Sequence, residues 1–134
     1  MPGDGSNINN SSIALLITVG SLRIFTAGDL EPPAQEAMLN LAKIAPVDIY
    51  KVSHHGSSYQ YLPLLSALKP TVALISVGLG NSYGHPATST ISALESLGTK
   101  VLRTDQDGAI AVAQDRLTLK IRTKRNDWWN ISWG

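Results

Sequence analysis

The sequence predicts a mixed α/β fold, one β-sheet with helices on one face, and three observations carry that prediction. Strand-like and helix-like apolar patterns alternate along the chain, the arrangement of a largely parallel sheet joined by crossover helices. The stretch Thr71-Val72-Ala73-Leu74-Ile75-Ser76-Val77-Gly78 is apolar almost without a break, as a strand covered on both faces must be. A length of 134 residues with 43% apolar side chains suffices for one core and not for two.

Residues 1–11 are dominated by Gly, Asn, Asp, Ser and Pro and read as a flexible N-terminal segment, so the folded domain spans 12–134. From Ser12 to Asp29 two β-rich runs flank Gly20-Ser21, a pair suited to a tight hairpin. Pro32-Pro33 can open a helix but not continue one; Ala37, Leu39, Leu41, Ala42 and Ile44 form its apolar stripe, and Pro46 ends it. The order then repeats. A strand at Val47–His55 leads to a short helix at Tyr61–Leu68, the buried strand at Thr71–Gly78, and a helix over Ala87–Gly98 with Gly98 placed for its C-terminus. The last third reads as strands joined by turns at Asp107-Gly108 and Asp115-Arg116, with Leu117, Leu119 and Ile121 opposite Lys120, Arg122 and Lys124. The tail Asp127–Gly134, which holds all three Trp, is expected to pack as an edge segment on a hydrophobic surface.

Composition narrows the chemistry. With no Cys, disulfide scaffolds and thiolate zinc sites are excluded, so any metal site must use His, Asp and Glu. The longest apolar run, Ile13–Val19, falls far short of the roughly 20 residues that span a bilayer, so no membrane segment is expected. A net charge of +1 argues against a general nucleic-acid coat, although Arg116, Lys120, Arg122, Lys124 and Arg125 crowd one short segment.

Polar residues gather at strand ends: Asp29 after one run, His54-His55-Gly56-Ser57 after the next, and Asn81-Ser82-Tyr83-Gly84-His85-Pro86 after the third. Ligands of open α/β sheets bind outside the carboxyl ends of the strands, so these clusters converge on one rim. Singly, each has a plainer explanation. Asp29 can cap a helix, His54 and His55 can be a satisfied pair, and His85 can be a turn residue. Together, one acid and all three His at one sheet edge are what an oxygen-and-nitrogen metal site or hydrolytic site requires.

Those motifs, with Asn9-Asn10-Ser11-Ser12, Phe25-Thr26-Ala27-Gly28-Asp29-Leu30-Glu31 and Arg103-Thr104-Asp105-Gln106-Asp107-Gly108, resemble in order and spacing the carboxy-terminal part of the metallo-β-lactamase-like domain of ComEC-type DNA internalization competence proteins. The resemblance covers residues 9–113 and implies the second half of an αββα sandwich, a partial domain. It implies zinc or manganese at the complete site, with Asp29 and His85 as metal ligands. It also implies His55, with His54 as the alternative, at the scissile phosphate, and Ser57, Gly56, Asn81 and Tyr83 in substrate binding or orientation. The substrate would be DNA or another phosphodiester, and the location the outer face of a bacterial cytoplasmic membrane as part of a larger protein. The HxHxDH-like cluster of that superfamily's first half has no counterpart here, so this chain alone is expected to bind metal weakly and to turn nothing over. A missing first sheet would leave one sheet face bare, and a separate half-domain or self-association would cover it. The competing reading is a non-catalytic DNA-binding or assembly module that uses the basic cluster.

Overall fold

The structure is a computed structural model and describes residues 6–125 and 129–132. Five strands, β1 (Leu15–Val19), β2 (Leu22–Thr26), β3 (Ile49–Lys51), β4 (Val72–Ile75) and β5 (Lys100–Arg103), form one sheet in the order β1-β2-β3-β4-β5. β1 runs antiparallel to β2 through the expected hairpin, where Val19 pairs with Leu22 and Gly20 takes φ +60°. The other neighbours are parallel, so each must be joined by a crossover. Helices α2 (Pro32–Leu41), α3 (Leu62–Leu68) and α4 (Thr88–Ser96) make those crossovers.

All three crossover helices contribute to one core on one face of the sheet. Phe25, Tyr50, Val52, Ala73 and Ile75 from the strands and their flanks meet Leu64, Leu65, Leu68 and Leu94 from the helices. The opposite face is covered in part by a second, antiparallel sheet of β6 (Ile110–Asp115), β7 (Thr118–Thr123) and β8 (Trp129–Ser132). Leu119 and Ile121 of β7 are wholly buried against Leu22, Ile49, Val72 and Leu102. Each such side chain contributes about 1.5–3 kcal/mol by leaving water. The expectation of a bare second face is therefore corrected: the chain's own last third covers much of it, and among the described residues the apolar side chains of β1 stay exposed.

Local readings shift for identifiable reasons. Asp107-Gly108 is not a hairpin turn, because β5 joins the first sheet and a helical turn, α5 (Thr104–Asp107), carries the chain away. There Gly108 at φ +72° redirects it, and a Cβ at Gly108 would lie 3.0 Å from that of Lys124. The β6–β7 turn falls at Arg116-Leu117, so Leu117 is exposed instead of lining the core with Leu119. In α2 the helix stops at Leu41, which is 88% exposed, and the sheet-facing residues are Ala34, Met38 and Leu39 around a fully buried Gln35. That amide is satisfied: it donates to the Leu30 carbonyl (2.6 Å) and accepts from the Tyr61 N–H (2.7 Å). Within the segment read as flexible, Ser6–Asn9 forms a helical turn, α1, whose Asn9 and the following Asn10 bind Glu31. The backbone of β8 pairs with β7, whereas the side chains of the Trp tail lie outside the described residues.

Candidate functional site

Because β2 to β5 are parallel, their carboxyl ends share one rim, and each expected cluster sits there. After β2 the chain turns at Gly28, φ +52°, where a Cβ would stand 2.7 Å from that of Ser12, so this close approach requires glycine. The next N–H, of Asp29, donates to Ser12 Oγ (3.1 Å). After β3, His54 and His55 take left-handed backbone angles, φ 49° and 53°, within a tight turn over Ser53–Gly56. Non-glycine residues hold such angles at a cost, and they do so mostly where surroundings enforce it. Here the His54 N–H donates to the Gly28 carbonyl (3.0 Å), tying the His-His turn to the Asp29 turn.

After β4 the loop returns through Asn81 to His85, which precedes Pro86 across a cis bond. Asn81 clamps that loop: its amide donates to the His85 carbonyl (2.7 Å), and its carbonyl oxygen accepts from the His85 N–H (3.1 Å). Gly56, at φ +75°, lets the two His loops touch, since a Cβ there would lie 2.7 Å from that of Pro86. The Ala87 N–H donates to the Gly56 carbonyl (2.8 Å) across the same contact.

These constraints bring Asp29, His54, His55 and His85 together. His55 Nδ1 lies 2.7 Å from the Ser76 carbonyl oxygen, so the network assigns its proton to Nδ1. His55 Nε2 then faces Asp29 Oδ1 at 3.6 Å. In the neutral ring that nitrogen carries a lone pair, so two electron-pair donors face each other, an arrangement that a proton on Nε2 or a shared cation reconciles. The His54 and His85 rings meet edge to face at 5.5 Å, and Tyr83 stacks over His85 at 6.1 Å. Burial, then the charges of His54 and His55, hold the His85 pKa below the usual histidine range, against an upward pull from Asp29. A cleft of about 210 Å³ opens between His55, Val77, Gly78, Asn81, Tyr83 and His85.

Two expected substrate contacts are placed elsewhere. Ser57 is fully buried, with its Oγ accepting from the Tyr59 N–H (3.2 Å) and its carbonyl from Thr90 Oγ1 (2.7 Å). Gly56 is buried under Pro86, so neither residue reaches the cleft. Sequence reasoning missed three others. Glu31 Oε1 lies 3.5 Å from His54 Nδ1. Ser12 holds the Asp29 turn, and Thr104 fixes the end of β4 by accepting from and donating to the Val77 backbone (2.8 and 2.7 Å). The first was legible as an acid two residues beyond Asp29; the other two are hydroxyls far away in sequence.

As for a metal, among the described residues no three His, Asp or Glu side chains come together to hold one. The donor set is a pair, not a shell. The basic cluster belongs to the second sheet and its margins, where Lys120 pairs with Asp115 (2.6 Å) and Arg125 donates to the Gln106 carbonyl (3.1 Å). No described helix is long and apolar enough to cross a membrane.

Fold and rim together define an α/β protein with an imidazole-and-carboxylate site at the carboxyl edge of its parallel strands. The chain is 35% identical over 108 residues to ComE operon protein 3 of Bacillus subtilis, an alignment covering 80% of this chain and 14% of that protein. It is also 29% identical over 132 residues to Competence protein ComA of Neisseria gonorrhoeae (92% and 18%). With Recombination protein 2 of Haemophilus influenzae it shares 32% over 127 residues (90% and 16%). It thus spans less than a fifth of these relatives' length. No protein-family model matches it.

Proposed function

We propose that this chain forms one wall of a phosphodiester-hydrolysing site in a protein of DNA uptake, acting on DNA at the outer face of a bacterial cytoplasmic membrane. The observation that carries the reading is the His55–Asp29 pair, whose His55 lines the cleft, with Nδ1 fixed on Ser76 and Nε2 turned to the carboxylate. Competence in the printed name of one similar protein, ComA of Neisseria gonorrhoeae, supports the biological setting.

Within such a site the doubly protonated His55 ring, its Nε2–H turned to Asp29, gives that proton to the departing oxygen and is left neutral with its remaining proton on Nδ1. Its ring is held by Ser76 so that the same nitrogen is presented each time. Asn81 acts through the backbone of His85, keeping that imidazole at the rim. Tyr83 is 82% exposed and offers an aromatic face on which a nucleobase can stack. Asp29 and His85 would hold part of the shell of a zinc or manganese ion, which would activate water at the phosphate, with further ligands from a separate half-domain that would also cover β1, exposed among the described residues.

The test is cleavage of a labelled DNA oligonucleotide by this chain combined with a candidate amino-terminal half-domain, with manganese or zinc added. Cleavage is expected from the pair and not from the chain alone, with a loss of about 100- to 10,000-fold on His55→Ala. A pair that never cleaves, or one that ignores Asp29→Ala, refutes the reading.

A further inference from the structure

We infer that Glu31 is a positioning residue for His54, holding that imidazole by Nδ1 so that Nε2 is its unprotonated nitrogen. His54 Nδ1 is buried and makes no hydrogen bond among the described residues. A buried ring nitrogen left so is costly, and native interiors supply a partner. Glu31 Oε1 stands 3.5 Å away, a few tenths of an ångström beyond a hydrogen bond, with both side chains largely buried (20% and 15% exposed). A carboxylate can only accept, so the contact places the proton on Nδ1.

Glu31 is itself held in place. Its Oε1 accepts from the Asn9 side-chain amide (2.8 Å), and its N–H donates to Asn10 Oδ1 (2.9 Å). It occupies the N-cap position of α2, yet its side chain makes no capping bond there. The carboxylate is therefore turned to His54 and Asn9 and not to the helix it precedes. Its ring partner sits at a left-handed φ of 49°, tied through its N–H to Gly28 and set edge-on to His85. The Asn9-Asn10 pair, Glu31 and His54 form a relay from the amino-terminal segment to the rim, parallel to the Ser76–His55–Asp29 line. Both histidines are then held by Nδ1, His55 by a carbonyl and His54 by a carboxylate. Any effect of His54 on cleavage, as the alternative to His55 at the phosphate, rests on the reading proposed above, whereas its tautomer does not.

The test is the tautomeric state of His54, read from long-range proton–nitrogen NMR correlations on the nitrogen-15-labelled 134-residue chain at a pH where its imidazoles are neutral. The wild type is expected to show a protonated Nδ1 and a bare Nε2. Glu31→Leu, which removes the acceptor, is expected to shift the ring to the Nε2-protonated form, and Glu31→Gln, which keeps an amide oxygen there, to retain the wild-type pattern. A wild-type His54 protonated at Nε2, or a folded Glu31→Leu with an unchanged ring, overturns the inference. Should Glu31→Leu not fold, Asn9→Ala is read instead: a partial shift supports the relay and an unaltered ring contradicts it. In the DNA-cleavage assay Glu31→Leu is expected to lower kcat about 10- to 100-fold with KM little changed. A shifted tautomer with kcat intact overturns the positioning role. A wild-type pair that cleaves nothing counts against the proposed function alone, because the tautomer is read without it.

Discussion

β1 and β4 are nearly matched in composition, Leu-Leu-Ile-Thr-Val against Val-Ala-Leu-Ile, and opposite in environment. In β4, Val72, Ala73 and Ile75 are fully buried, whereas Leu15, Leu16, Ile17 and Val19 of β1 are 41–61% exposed. The difference lies in what covers them. β4 has helices on one side and the second sheet on the other; among the described residues β1 has neither and pairs with β2 alone. Natural edge strands are usually blunted by charge, proline or a bulge. From Ser11 through Ser21 this chain carries no charged residue at all. An uncharged apolar edge of this kind is an exposed surface, and it belongs to the same molecule whose described rim residues include no cluster of three metal-ligating side chains.

Substitution can break or sharpen that comparison. The largest expected effect is Ile75→Ala, which removes a fully buried side chain and costs about 2–5 kcal/mol. Ile17→Lys on β1 is expected to cost no more than about 0.5 kcal/mol. Urea unfolding of both variants checks the contrast, and equal losses would mean that β1 is as well covered as β4. Gly56→Ala comes next. Its Cβ would stand 2.7 Å from that of Pro86 at φ +75°, so about 1–3 kcal/mol of strain is expected, with displacement of the His85 loop visible as shifted His imidazole NMR signals. Smallest is the acid response of Asp105. Hydrogen bonds from Arg103 (3.0 and 2.6 Å) hold its carboxyl below the usual carboxylate range. With the folded pKa below the unfolded one, the stabilisation is complete above the ordinary carboxylate pKa and is lost as pH falls through the folded value. Asp105→Asn is therefore expected to cost less than about 1 kcal/mol at neutral pH and to flatten stability against pH in the acid limb, measured by thermal unfolding.

How much of this was legible in the sequence depended on whether the cause was local. Gly20-Ser21, Pro32-Pro33 and the unbroken run through Ile75 act on their own neighbours, and the hairpin, helix start and buried strand follow from them. The convergence of Asp29, the His-His turn and His85 was also legible, because parallel strands bring their carboxyl ends to one side whatever their register. The roles of Gln35, Ser57 and Thr104 were not. The Gln35 and Thr104 side chains have partners 26 and 27 residues away, and the Ser57 carbonyl is bonded by Thr90, 33 residues on, so only the folded chain brings each pair together. The fate of the last third was hidden for a related reason, since nothing local tells a strand which of two sheets it will join.

The function proposed above would have a separate half-domain cover β1 and add ligands at the rim. DNA cleavage by the chain paired with its candidate half-domain tests this most directly when the substitution is Ile17→Lys, on β1 and not among the rim residues. This variant is expected to keep nearly the wild-type unfolding midpoint but to lose cleavage as thoroughly as Asp29→Ala. Cleavage at the wild-type rate by Ile17→Lys would contradict it.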